Sequence, residues 1–273
     1  MAQFSFDGID IYYEVHGDRG VPLVVLNGIM MSTASWNSFV PNFSANNTLV
    51  LVDFVDQGKS QKMNRAYDHS LQVRVVEELV DMLGYDKVVV MGISYGGEVG
   101  LQYALKRPDK VKRLILANTA ARTSKWLCEV GHNWNAVAAT GDGYQYYLTT
   151  IPIIYSDEYR ERRRDWMDAR EKMLVEYFSD KTVLARMVRL TDSSENYNVA
   201  KRLGEIKCPT LIISGSKDTL TPLSEQRLMH KGIKNSRWVV MNGCGHASMY
   251  EEPDTFAALV VGFANILDEE IVV

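Results

Sequence analysis

The stretch Val88-Val89-Val90-Met91-Gly92-Ile93-Ser94-Tyr95-Gly96-Gly97 decides the fold. Its first four residues are apolar and three of them are β-branched, the composition of a buried strand. They run into Gly-x-Ser-x-Gly, and Glu98 to Leu105 follow with helical composition. A strand, a one-residue corner and a helix give the geometry of a nucleophile elbow. The corner places Ser94 at the tip of a strained turn, with its hydroxyl in a cleft. Gly92 and Gly96 stand where strand and helix pass too close for a Cβ. The motif is short enough to recur by chance. Its meaning comes from the strand before it, the helix after it, and an acid and a base downstream.

Toward the N-terminus, Phe4-Ser5-Phe6 and Ile9 to Val15 flank Asp7-Gly8, an antiparallel hairpin at a sheet edge. Leu23 to Leu26 and Thr48 to Val52 are apolar strands that end at Asn27 and Asp53. Ser70 is the expected N-cap of a helix through Leu83, with Val73, Val76, Leu79, Val80 and Leu83 at helical spacing. The helix after Ser94 should stop at Arg107, before Pro108, and Leu114 to Ala117 form another buried strand. Apolar strands alternating with amphipathic helices favour a parallel sheet covered on both faces and joined by right-handed crossovers.

The rhythm stops near Ala121. From there to about Val199 aromatic and charged residues fall at helical spacings, with no clear strand run. This segment reads as a helical cap over the cleft rather than a second domain. The division is residues 1–120, first part of the core; 121–200, cap insertion; 201–273, second part of the core. Beyond the insertion come a strand at Pro209 to Gly215, a helix from about Ser224 to Lys231, and a last strand at Ser236 to Met241. Pro253 opens a final helix with Phe256, Leu259, Val260, Phe263 and Leu267 as its apolar positions.

A chain of 273 residues, 46% hydrophobic and 23% charged, fits a soluble globular protein with room for one large α/β domain or two small ones. A net charge of -4 without a basic run argues against a nucleic-acid partner. No apolar run is long enough for a membrane span, so no stable membrane insertion is expected. The N-terminus lacks the basic and apolar regions of a secretory signal, which makes the cytoplasm the expected location. Cys128, Cys208 and Cys244 lie far apart, without metal-ligand spacing, and read as reduced thiols. Cys244, two residues before His246, reads as a small buried filler in preference to a reactive thiol. No cofactor and no metal is expected. The expected partner is a small-molecule acyl ester or thioester, and a homodimer is compatible with the sequence.

Sites in open parallel sheets form at the carboxyl ends of strands. Asn27, Asp53, Ser94, Asp218 and His246 all fall just beyond such ends. A serine hydroxyl needs a base to become a nucleophile, and His246 suits that task. Asp218 is placed to hold the other ring nitrogen. Asp53 is the second acid candidate, its alternative role being a buried carboxylate that tethers a loop. His16, His69, His132 and His230 lie at an edge strand or in helical segments and read as structural or solvated. The backbone N–H groups of Tyr95, at a helix start, and Ile29, in the loop after the third strand, are the expected oxyanion donors.

The elbow Gly92 to Gly97, the acid loop Gly215 to Pro222, and Gly245-His246 with Glu252-Pro253 behind it resemble the α/β-hydrolase superfamily. The resemblance covers nearly the whole chain. It implies a mostly parallel eight-stranded sheet with helices on both faces, a helical cap insertion and a Ser94-His246-Asp218 triad. It says little about substrate, because the fold hosts many chemistries. Where the superfamily commonly has His-Gly, this chain has Asn27-Gly28. Asn27 to Trp36, with Asp53 and Gly58-Lys59-Ser60, is similar to the acyltransferases that make the hydroxyacyl lipid precursor of rhamnolipids. That similarity implies a fatty-acyl or thioester substrate. An asparagine side chain at position 27 can donate a hydrogen bond near the oxyanion, but it cannot titrate as a histidine does. The expected activity is that of a cofactor-free serine hydrolase acting on a carboxylic ester or thioester. Its alternatives are acyl transfer from a thioester to an alcohol, and a triad-retaining small-molecule receptor.

Overall fold

A computed structural model describes residues 2–266. Its sheet has eight strands: β1 (Ala2–Phe6), β2 (Ile9–His16), β3 (Leu23–Leu26), β4 (Leu49–Val52), β5 (Val88–Ile93), β6 (Val111–Ala117), β7 (Thr210–Gly215) and β8 (Ser236–Met241). Their spatial order is β1-β2-β4-β3-β5-β6-β7-β8. β1 and β2 form the hairpin, turning through Asp7 and Gly8 at φ 49° and 74°, the positive angles that a tight hairpin turn demands. β2 pairs antiparallel with β4, and every pairing from β4 to β8 is parallel.

The apolar runs are explained by burial on two sides. Val24, Leu26, Val50, Val88, Val90, Leu114 and Ile212 face one core, while Leu23, Val25, Leu49, Val89, Met91, Ile115 and Leu211 face the other. Successive strand residues point to opposite faces, so a strand covered on both sides is apolar throughout. Eleven α-helices follow in chain order among the described residues. The first three are α1 (Val40–Ser44), α2 (His69–Met82) and α3 (Tyr95–Lys106). Then come α4 (Lys125–Ala138), α5 (Gly143–Ile154), α6 (Asp157–Arg162), α7 (Arg164–Phe178) and α8 (Lys181–Ser193). The last are α9 (Leu223–Gly232), α10 (Ser248–Glu251) and α11 (Pro253–Ala264). Residues of α2, α3 and α9 pack on the first face, and Phe43 of α1 with Phe256, Val260 and Phe263 of α11 pack on the second. No helix among the described residues is long and apolar enough to cross a membrane.

Two sequence expectations need correction or limits. The N-cap of α2 is Asp68, whose carboxylate accepts from the Ser70 backbone N–H at 2.8 Å, so Ser70 lies inside the first turn. Asp and Ser are both good caps, and the one with extended backbone geometry takes the position. Leu267 lies outside the described residues.

α4 to α8 stand between β6 and β7 and are bonded to the core at several points. Arg189 of α8 forms a forked ion pair with Asp56, at 2.7 and 2.8 Å, in the loop after β4. Ser156, just before α6, bonds Glu251 of α10 through both its N–H and its hydroxyl. Trp126 of α4 donates to the Thr219 carbonyl at 2.8 Å.

The turn at Ser94 is tightly packed against its neighbours. A Cβ on Gly92 would lie 2.3 Å from the Gly96 carbonyl oxygen, and one on Gly96 would lie 2.2 Å from that of Leu26. Strand β5 therefore meets its own helix, and that helix meets β3, backbone to backbone. Gly96→Ala is expected to destabilise the chain by at least about 3 kcal/mol, because backbone cannot yield as a side chain does. Gly262→Ala, in α11 with nothing within 4 Å of a new Cβ, should instead be neutral or stabilising by up to about 1 kcal/mol. Urea unfolding of the two variants compares them directly, and equal stability would contradict this packing.

Candidate active site

The parallel strands end on one side of the sheet, and four of their loops meet there. β5 delivers Ser94, which has φ 52° and ψ -123°, a conformation that non-glycine residues rarely adopt. β7 delivers Asp218, and the loop after β8 delivers His246. Both are buried, at 5% and 6% exposure. The structure brings all three together. The Ser94 hydroxyl lies 2.9 Å from His246 Nε2, and His246 Nδ1 lies 2.9 Å from Asp218 Oδ2.

Asp218 is held more firmly than sequence alone showed. Its Oδ1 accepts from the N–H groups of Leu220 and Thr221, both at 2.9 Å. Its Oδ2 accepts from the Thr221 hydroxyl at 2.8 Å and from Asn118 Nδ2 at 2.9 Å. Burial alone would raise this carboxyl, but His246 and the donors from Asn118 and Thr221 outweigh it and hold it below the usual carboxylate range. Asn118 follows β6 at φ 44° and also accepts from Ser248 at 2.6 Å. Sequence reasoning passed over Asn118, although it too lies one residue beyond a strand end, the signal by which the others were found.

Ile29 lies in the loop after β3, and Tyr95 directly follows Ser94. Tyr95 is the first residue of α3, so its N–H has no carbonyl one turn back to bond. Ile29, Ser94, Tyr95 and His246 line one cavity. Its wall is largely apolar, with Met31, Ile151, Ile154 and Leu220 among its residues. Trp134 also lines it, and its buried Nε1 has no hydrogen-bond partner.

Asn27 is not an oxyanion donor. Its amide nitrogen donates to the Val52 carbonyl at 2.8 Å and to Gln57 at 3.2 Å, and its oxygen accepts from Trp36 Nε1 at 2.7 Å. A fully buried amide satisfies its groups where it stands, and here that ties β3 to the loop after β4. Asp53 has the tethering role. Its two oxygens accept from the backbone N–H groups of Thr33 at 2.6 Å and Lys59 at 2.8 Å. Cys244 is buried, which pushes its thiol up to about 12, so it is a filler. His16 lies 2.9 Å from Glu14, and His230 the same distance from Ser236.

His69 and Glu98 form a second buried pair, with Nε2 and Oε2 3.4 Å apart. Glu98 also lines the cavity. Burial pushes the Glu98 carboxyl well above its usual range and His69 down to about 3, so both neutral forms are favoured.

With this geometry in place, the relatives can be set beside it. The family model described as alpha/beta hydrolase fold matches residues 21–253. The chain belongs to the alpha/beta hydrolase fold family. A crystal structure of MGS-M2, an alpha/beta hydrolase enzyme from a Medee basin deep-sea metagenome library, is 45% identical, covers 100% of each chain and has a TM-score of 0.97. A putative carbamate hydrolase RutD from Azorhizobium caulinodans is 24% identical over 95% of this chain and 97% of its own. A 2-hydroxy-6-oxononadienedioate/2-hydroxy-6-oxononatrienedioate hydrolase from Pseudomonas putida is 27% identical over 93% and 92%. These names are those of hydrolases and support hydrolase activity in this chain.

The buried pair makes a pH prediction. Unfolded Glu and His titrate near about 4.3 and 6.5. Between those values the unfolded pair holds one proton, on His69, and the raised Glu98 favours one proton in the folded pair as well, so the pair adds little slope. Above about pH 6.5 the folded state holds one proton more, and stability falls as pH rises toward the raised Glu98 value. Below about pH 4.3 the unfolded state holds one more, and stability falls as pH drops toward about 3. Glu98→Gln should remove the part of the alkaline loss of stability that the raised Glu98 causes, read by urea unfolding across pH. Identical pH dependence in wild type and variant would contradict the raised Glu98 carboxyl.

Proposed function

We propose that this protein is a serine hydrolase that cleaves a carboxylic ester or thioester with an apolar acyl part. The observation that carries the reading is the unbroken hydrogen-bonded chain Ser94-His246-Asp218 at the wall of a largely apolar cavity. In this reading His246 Nε2 takes the Ser94 proton as the oxygen attacks the acyl carbonyl. Asp218 keeps Nδ1 protonated and stabilises the imidazolium that forms. The developing oxyanion lies between the N–H groups of Ile29 and Tyr95, each such donor being worth roughly 3 kcal/mol in the transition state. His246 then returns the proton to the leaving oxygen or sulfur, which departs and leaves an acyl-enzyme. Water, deprotonated by His246, attacks that ester and frees Ser94.

Residues 121–200 act as the cap in this proposal. Their side chains Leu127, Trp134, Ile151 and Tyr155 share the cavity with Ser94, which supports an apolar acyl group bound beneath them. The core parts on either side, 1–120 and 201–273, supply the chemistry. Relatives named as hydrolases of a carbamate and of a dienedioate support hydrolysis as the reaction class.

Steady-state kinetics on p-nitrophenyl esters of increasing chain length test the proposal. Ser94→Ala should lower kcat by at least about 10⁴-fold, and Asp218→Asn by about 10⁴-fold with KM little changed. Full activity in folded Ser94→Ala would overturn it. Negligible wild-type turnover across the ester and thioester series would also overturn it.

A further inference from the structure

We propose that Cys128, His132 and Glu195 form a binding site for one divalent metal ion of the zinc type on the wall of the cavity that Ser94 faces. Cys128 and His132 are four residues apart on α4 and so share one helix face. Glu195 follows the end of α8 by two residues. The pair of helices is braced beside them by Asn135 donating to Asp192 at 2.6 Å and by the Thr123 hydroxyl donating to the Ser194 carbonyl at 2.5 Å. The donors are therefore supplied by packed elements from two parts of the chain.

The way these atoms converge favours a metal over a second catalytic constellation. Cys128 Sγ lies 3.9 Å from His132 Nε2 and 4.0 Å from Glu195 Oε1, and those two atoms are 2.9 Å apart. Thiol and carboxylate thus address the same ring nitrogen. A nucleophile–base–acid relay needs them on opposite nitrogens, because one nitrogen cannot donate to the carboxylate and accept from the thiol at once. A metal has no such conflict. The three distances define a point about 2.1 Å from every donor atom, close to the usual zinc distances of about 2.3 Å to sulfur and 2.0–2.2 Å to nitrogen and oxygen.

The donor set also selects the ion. Thiolate and imidazole favour zinc-type ions over magnesium or calcium, which prefer oxygen cages. One thiolate and one carboxylate balance a dipositive charge. Three protein ligands leave a fourth position open, the arrangement of zinc sites that accept a water or a substrate atom. All three residues line the cavity together with Ser94 and His246, so the open position can take a carboxylate or carbonyl oxygen of a molecule bound there. The sequence hid the site because the three residues match no ligand spacing until α4 and α8 pack side by side.

The test is zinc titration calorimetry on the full chain after dialysis against a chelator, with cobalt substitution read by absorbance. The site predicts one ion per chain in wild type and in Ser94→Ala, so the result does not depend on the hydrolase reading. His132→Ala should weaken binding by at least about 100-fold. Cobalt should give a thiolate charge-transfer band that disappears in Cys128→Ser, with circular dichroism confirming that both variants are folded. No stoichiometric ion would overturn the site. Unchanged affinity in His132→Ala would do the same, as would a cobalt complex without the thiolate band.

Discussion

The backbone of Ser94 is held at φ 52° and ψ -123°, and the centre of the molecule is arranged to keep it there. Such a conformation costs on the order of 1–3 kcal/mol for a residue with a side chain. Four hydrogen bonds hold it. Ser94 donates to the Ala117 carbonyl, and its own carbonyl accepts from Gly97, Glu98 and the Thr119 hydroxyl. The close approach of β5, α3 and β3 leaves no volume for a Cβ at Gly92 or Gly96. The result is a side chain that points away from the core at a place where the surrounding backbone is rigid, which is what a positioned nucleophile needs.

The rest of the site follows from a sheet buried on both faces. The central strands are mostly apolar, and Ser94, Asn118, Asp218 and His246 follow the carboxyl ends of parallel strands, so all four emerge on one side. Polar groups buried there must find partners, and they find each other. Asp218 is the clearest case, with five donors or potential donors on two oxygens. Helices α4 to α8 supply the remaining wall of the cavity. Glu251 couples them to the histidine loop, because it accepts from Gly245 on one side and from Ser156 on the other.

The strands, the elbow and the order Ser94, Asp218, His246 were legible in the sequence because each rests on local pattern: β-branched runs, glycines at a forced corner, chemistry-bearing residues just past strand ends. What was not legible depends on partners distant along the chain. That the Asn27 amide is taken up by Trp36, Val52 and Gln57 follows only from the folded chain. Asn118 went unnoticed because its value lies in reaching Asp218, a hundred residues on. Asp68 and Ser70 are both sound caps by composition, and only backbone geometry chose between them. Cys128, His132 and Glu195 gather only when two helices pack.

The most direct test of the central claim is intact mass after brief exposure to a p-nitrophenyl ester, followed by peptide mapping of any adduct. The account predicts a transient gain of one acyl group per chain, located on Ser94 and absent from Ser94→Ala. Release of p-nitrophenol without any adduct on Ser94, or an adduct that persists in Ser94→Ala, would contradict it.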